Sequence, residues 1–243
     1  DISEPELKKE KEEELKKLVS TRETLPTLKE LTLDVTELAD YLVCARKYYF
    51  KHVLNFHETI NSSYNAVVGR FVHWVLQYFF TNNGLDGDIE ESLKKLMDKY
   101  PEITGLKRAK FTEIRMNLLN FINTISKKVF TNVEDTFCEL PFEYVFPGEP
   151  IIHMKGKIDL VVNRRNAIYV LDYKYAHNRY EPTYELQLKL YGIALQKAFD
   201  KKIKLYLAYL QDENPLKEIK FSQEEANRLI QRIKDTAKSI IKI

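Results

Sequence analysis

Apolar and polar residues along this chain follow two periods, helical through its first half and strand-like through the middle. Asp34 to Phe56 reads as helix; Asp34 and Glu37 have capping-box spacing, and Thr36 is an equally fair N-cap. Tyr64 to Phe80, strongly apolar and aromatic, predicts a second helix that ends at Asn82-Asn83-Gly84. Two more are expected near Ile89 to Tyr100 and Lys110 to Phe130. The pattern then changes. Thr136 to Phe146, Ile151 to Asn163 and Ala167 to Lys174 are β-rich runs, separated by Pro147-Gly148-Glu149-Pro150 and by Arg164-Arg165-Asn166, which are short enough for hairpins. Pro182 to Phe199 returns to helical periodicity, Ile203 to Leu210 predicts a buried strand, and Lys217 to Phe221 a short polar one. Ser222 and Glu225 form a capping box for a last helix that runs nearly to the end. The order predicts a mixed α/β domain with an antiparallel meander at its centre.

Length and composition narrow this picture. A chain of 243 residues allows one large domain, or one domain with appendages, and a substantial core. Disordered, collagen-like and disulfide-stapled classes are excluded. With 38 Lys+Arg against 36 Asp+Glu the formal charge is only +2, so any nucleic-acid contact must come from local basic clusters. No run of 18 apolar residues predicts a membrane span, and no signal peptide is expected. Cys44 and Cys138 lack CxxC spacing, which points to a reducing, intracellular and cytoplasmic setting. The first 17 residues carry 12 charges and start with Asp, so residues 1–30 read as a charged helix or linker cut from something longer, and 31–243 as the folded domain.

Candidate chemistry lies on the meander. Strand alternation puts Asp172 and Lys174 on one face, and Asp159 lies on the neighbouring run. Burying such charges in apolar strands is costly unless they pair with each other or with a metal. Two carboxylates beside a lysine suit Mg²⁺ or Mn²⁺ better than zinc. A purely structural ion pair, Asp172 or Asp159 with Lys174, accounts equally well for the spacing alone. His73 shares a helix face with Gly69 and Gln77. A mid-helix glycine costs about 1 kcal/mol relative to Ala, so Gly69 predicts close approach of another backbone. His73 could complete a metal shell or be a core histidine. Tyr184, Gln187 and Tyr191, at i, i+3 and i+7, form a polar stripe that could hold water or phosphate.

Together these residues resemble a family. Gly69-x-x-x-His73, Gly156-x-x-Asp159, Asp172-Tyr173-Lys174 and Gln187-Leu188-x-Leu190-Tyr191 occur in the order of the RecB-like nucleases of the PD-(D/E)XK superfamily. Leu38-x-x-Tyr41-x-x-Cys44-x-Arg46-x-Tyr48-x-Phe50 looks like the segment that opens that domain. The resemblance implies a central mixed sheet flanked by helices, with extra N-terminal helices. It implies metal-dependent hydrolysis of DNA phosphodiesters on single-stranded or unwound ends, within an AddA-type helicase-nuclease of recombination or repair. Asp159 and Asp172 would bind the metal with His73, and Tyr173 belongs to the same ligand set. Lys174 would activate the water. Glu139, within Glu139-Leu140-Pro141-Phe142, matches a further family acid, although Glu143 shares its strand face. Gln187 and Tyr191 would support the site.

Iron-sulfur members of the family carry three more cysteines beyond the helix motif. None follows Cys138, so no cluster is expected, and Cys44 should be an ordinary buried thiol. No GxxxxGK[ST] motif is present, so a helicase partner would lie outside this chain. Arg46, Lys47 and Lys51, interleaved with Tyr48, Tyr49 and Phe50, are candidate DNA contacts, as are Arg164, Arg165 and Arg179 flanking the site. A catalytically retired nuclease fold serving as a DNA-binding or scaffold module is the alternative. A glycosidase fits poorly, because Lys174 would depress a carboxyl pKa rather than raise it.

Overall fold

The computed structural model describes residues 30–56, 61–82, 87–99, 108–179 and 181–240. The charged lead-in, the loop around Pro26, Asn83-Gly84 and Tyr100 lie outside the described residues. The strands are β1 (Glu30–Asp34), β2 (Val133–Phe146), β3 (Ile151–Arg164), β4 (Ala167–Lys174), β5 (Lys202–Tyr209) and β6 (Leu216–Ile219). The helices are α1 (Val35–Val43), α2 (Ala45–Tyr48), α3 (Asn61–Asn82), α4 (Ile89–Lys99), α5 (Arg108–Lys128), α6 (Pro182–Ala198) and α7 (Gln223–Ile240).

The six strands form one mixed sheet in the order β1-β3-β4-β5-β6, with β2 along the other edge of β3. The antiparallel meander β2-β3-β4 is present as the spacing predicts. A helical crossover through α6 makes β5 parallel to β4. Strand alternation sends Ile168 and Val170 into a core closed by α1, α6 and α7. Ala167, Tyr169, Leu171 and Tyr173 go into a second core closed by α3, α4 and α5. β4, buried on both faces, is therefore apolar throughout except for Asp172 and Lys174.

Strand β1 is not expected from the local pattern. It pairs in parallel with the first five residues of β3, so its partner is over a hundred residues away and no hairpin turn announces it. It runs directly into α1. Asp34 is the N-cap of that helix: the Thr36 N–H donates to Asp34 Oδ1 at 2.7 Å and the Asp34 N–H donates to Glu37 Oε2 at 2.9 Å, completing the capping box.

The long helix expected from Asp34 to Phe56 is three pieces. Cys44 is extended between α1 and α2, and a π-helical turn spans Tyr49–Val53. At that corner Cys44 is exposed, correcting the expectation of a buried thiol. The Ser222 and Glu225 box is formed as expected.

Candidate active site

The site lies where the sheet opens. Along one edge of β3, β1 pairs as far as Lys155 and β4 pairs from Leu160 onward, so residues 156–159 have no strand neighbour on that side. Gly156 fills the narrowest part of this stretch: a Cβ there would lie 2.8 Å from Val35 Cγ1 and 2.9 Å from Phe142 Cε1. Beyond the last β3–β4 rung, Asp159 replaces the missing backbone partner, and the Tyr173 N–H donates to its Oδ2 at 2.7 Å. The packing of β2 and β3 also changes sides here. Cys138 and Leu160 face the α3–α5 core, whereas Leu140 and Ile158 face the α1, α6 and α7 core. Glu139, between them, has φ 50°, a left-handed conformation uncommon outside glycine. Such strain is sustained only where surrounding structure over-determines it.

Three carboxylates and three basic groups converge at this opening. From α3, His73 places Nδ1 3.5 Å from Asp159 Oδ1 and 3.9 Å from Glu139 Oε1. Its Nε2 lies 3.2 Å from the carbonyl oxygen of Tyr173. Lys157, two residues before Asp159, reaches Glu139 Oε2 at 2.6 Å. Lys174 Nζ lies 2.7 Å from Asp172 Oδ2, an ion pair whose angles leave that oxygen, sealed in the interior, without a hydrogen bond. Burial drives the Asp172 pKa up against the opposing pull of Lys174. Burial also disfavours charge on His73, but hydrogen bonds to Asp159 and Glu139 outweigh it and raise the imidazole to about 10. His73 is therefore held as a cation by its acidic neighbours.

Glu139, not Glu143, is brought to this cluster. Glu143 points away and binds His153 at 2.9 Å. The φ of Glu139 reorients its side chain relative to regular alternation, so four-residue spacing does not imply a common destination. Tyr173 contributes its carbonyl alone, since its ring is buried against Phe121 and its hydroxyl has no hydrogen bond. On α6, Gln187 donates to Tyr191 Oη at 2.6 Å, and both are buried. Burial and the charges of Asp172 and Asp159 raise the Tyr191 pKa, so its hydroxyl stays protonated. Tyr184 lies one turn earlier, with Lys174 Nζ 4.6 Å from its ring centroid.

The outlying candidates fare differently. Arg179 is exposed and bonds to Tyr184 on the site side. Arg46 is exposed over the Phe50 ring. Tyr48 is core, edge-on to Tyr41 at 5.3 Å, and cannot stack on a base. Lys47 is half exposed but engaged with the buried Asp40 at 3.0 Å. Arg164 and Arg165 do not flank the site: they turn the chain at the opposite end of β4. Gly69 has open space around its Cβ position, so no close approach explains it.

Two further groups belong with these, although spacing does not single them out. Lys157 was legible as the residue two before Asp159 on the same strand. Asp40 was hidden inside an amphipathic helix. Lys47, Lys51 and His52 surround it and Thr183 donates to it, which ties α1 to the start of α6.

Single ligand atoms of His73, Glu139 and Asp159 lie within 4.8 Å of one another, a spacing that could hold a metal ion. The unbonded oxygen of Asp172 and the exposed edge of the Tyr173 carbonyl add oxygen donors of the kind that Mg²⁺ and Mn²⁺ prefer. The donor set fits a hard divalent cation.

Residues 32–242 match the family model described as the PD-(D/E)XK nuclease superfamily. Over 168 residues the chain is 25% identical to the larger chain of an ATP-dependent helicase/nuclease from Staphylococcus aureus, in strains JH9 and JH1 alike. The matched region covers 59% of this chain and 14% of those proteins, so the chain spans a small part of their length. A solved structure of a candidate exonuclease from Eubacterium rectale superposes with a TM-score of 0.53 at 15% identity, covering 91% of this chain and 85% of that one. That likeness is one of fold. Among the described residues no helix is long and apolar enough to cross a membrane.

Proposed function

The chain belongs to the PD-(D/E)XK nuclease superfamily, and from that premise we propose that it hydrolyses DNA phosphodiesters with Mg²⁺ or Mn²⁺. Its substrate would be single-stranded or unwound ends, and its setting the nuclease part of a larger recombination or repair helicase-nuclease. The observation that carries this reading is the convergence of Asp159, Asp172, Glu139 and His73 at the one break in the sheet, with Lys174 beside Asp172.

Asp159, Asp172 and His73, with the Tyr173 carbonyl, would hold the ion, and Glu139 would assist. When bound, such an ion neutralises phosphate charge and acidifies water. The protein's own groups perform the rest. Lys174, fixed between Asp172 and the Tyr184 ring, can orient water and steady charge that develops on the phosphate. The left-handed Glu139 aims its carboxylate at His73 and Lys157, which keeps those cations next to the scissile group. Gln187 and Tyr191 close the floor with a hydrogen bond that is satisfied internally. Similarity to the staphylococcal helicase/nuclease supports a helicase partner and a role on DNA that the partner unwinds.

A retired, purely binding domain would have no use for an unsatisfied Asp172 oxygen in its interior. The test is cleavage of end-labelled single- and double-stranded DNA with Mg²⁺, Mn²⁺ or EDTA, alone and with the helicase partner. Metal-dependent cutting that is lost in Asp172→Ala and Lys174→Ala is expected. Persistent cutting in EDTA or in Asp172→Ala would overturn the assignment.

A further inference from the structure

At the end of the sheet away from Lys174, the β3–β4 turn and the start of β5 enclose an open groove of about 810 Å³. Arg164, Arg165, Lys202 and Lys204 line it, against one carboxylate, Glu134. That carboxylate is already bound by Lys201 at 2.7 Å. Among the described residues, none of the four lining cations lies in an ion pair with a carboxylate. In a domain of net charge +2 this is an uncompensated concentration of positive charge.

The cations are held in place. Arg164 donates to Tyr169 Oη at 2.8 Å and lies over that ring at 4.9 Å from its centroid. Lys204 lies 5.1 Å from the same ring. Tyr169 in turn stacks on Tyr206, with 6° between the ring planes. Lys202 and Lys204 stand on one face of β5, about 7 Å apart by strand geometry, so they can meet successive charges of an extended polyanion.

We infer that this groove binds the phosphodiester backbone of a nucleic-acid strand outside the cleavage site. Tyr169 is 6% exposed, its faces taken by Tyr206 and the two cations, so it offers no platform for a base. The groove reads phosphate charge and not sequence. It lies roughly 10–17 Å along β4 from Asp172, by strand rise, and on the opposite face of the sheet. It therefore grips the strand, or a second strand, several phosphates away from the cut. The choice of nucleic acid over another polyanion rests on the nuclease reading.

The experiment measures fluorescence anisotropy of a long labelled single strand in EDTA, across a salt series, so that no cleavage occurs. The wild-type chain is compared with Arg165→Gln/Lys202→Gln/Lys204→Gln, which spares the Arg164 bond to Tyr169. A second triple variant, Lys94→Gln/Lys99→Gln/Lys234→Gln, removes the same charge elsewhere. Each neutralised phosphate contributes about 0.7 to the log–log salt slope for single strands. The groove variant should lose about 2 of slope, and the control variant should follow the wild type. Cleavage of a dinucleotide, too short to reach the groove, should survive in the groove variant while cleavage of the long strand weakens.

Equal slopes in both triple variants would overturn the inference, as would polyglutamate that displaces the strand as well as unlabelled DNA does. If the wild type cuts nothing but its binding depends on the groove, the nuclease proposal falls and the groove stands. If cleavage requires Asp172 while the groove variant binds as the control does, the groove alone falls.

Discussion

Asp159 Oδ2 accepts the backbone N–H of Tyr173 at 2.7 Å, so a side chain of β3 holds β4 in place where the ladder between them has ended. One carboxylate thus serves both as a strand connector and as a member of the acidic cluster, and substitutions can separate the two roles. Asp159→Ala leaves a largely buried N–H without an acceptor and should cost about 1–3 kcal/mol. Asp159→Asn keeps an acceptor oxygen and should stay close to wild type in urea melts. Cleavage should be lost in both. Equal stability of the two variants would show that the bond contributes nothing to the fold.

Asp172 and Lys174 form a buried pair, and breaking one side of such a pair leaves an uncompensated interior charge. Lys174→Met should therefore destabilise by about 3–5 kcal/mol. Asp172→Asn combined with Lys174→Met should recover much of that loss, a non-additivity that a double-mutant cycle detects. Activity should be absent throughout. Additive losses would mean that the two groups do not depend on each other.

Glu139 and Glu143 share a strand, but only Glu139 faces His73. Glu139→Gln should lower cleavage by about 10- to 100-fold, the range for groups that orient metal ligands. Glu143→Gln should leave the rate unchanged. Initial rates at saturating Mn²⁺ and at limiting Mn²⁺ separate lost affinity from lost turnover. A larger effect at Glu143 would reverse the assignment.

Asp40 gives the fold an acid limit. Burial alone would raise its pKa, but Lys51, His52 and Lys47 more than compensate and bring it from 3.8 down to about 2. A folded-state pKa below the unfolded one stabilises fully above the unfolded value, and that contribution is lost as pH falls from 3.8 toward 2. Asp40→Asn should remove this part of the pH dependence and leave a flatter acid limb in urea midpoints between those values. An unchanged limb would place the acid sensitivity elsewhere.

Local spacing determined the order of the elements, both capping boxes, the antiparallel meander, and the set Asp159, Asp172, Lys174, His73, Gln187 and Tyr191. Each of these depends on residues close in the chain, where a period or a hydrogen-bonding side chain leaves a direct mark. Tertiary structure alone decided the rest. β1 is a five-residue strand whose partner lies far along the chain, so nothing local distinguishes it from a linker. Glu139 prevails over Glu143 because one left-handed residue breaks the alternation on which a strand reading depends. Tyr48 is buried and Cys44 exposed because the chain turns a corner between α1 and α2. Arg164 and Arg165, near Asp159 in sequence, are carried by five extended residues to the far end of the sheet, where they line a groove. A strand advances about 3.3 Å per residue, and that distance separates what the sequence places side by side.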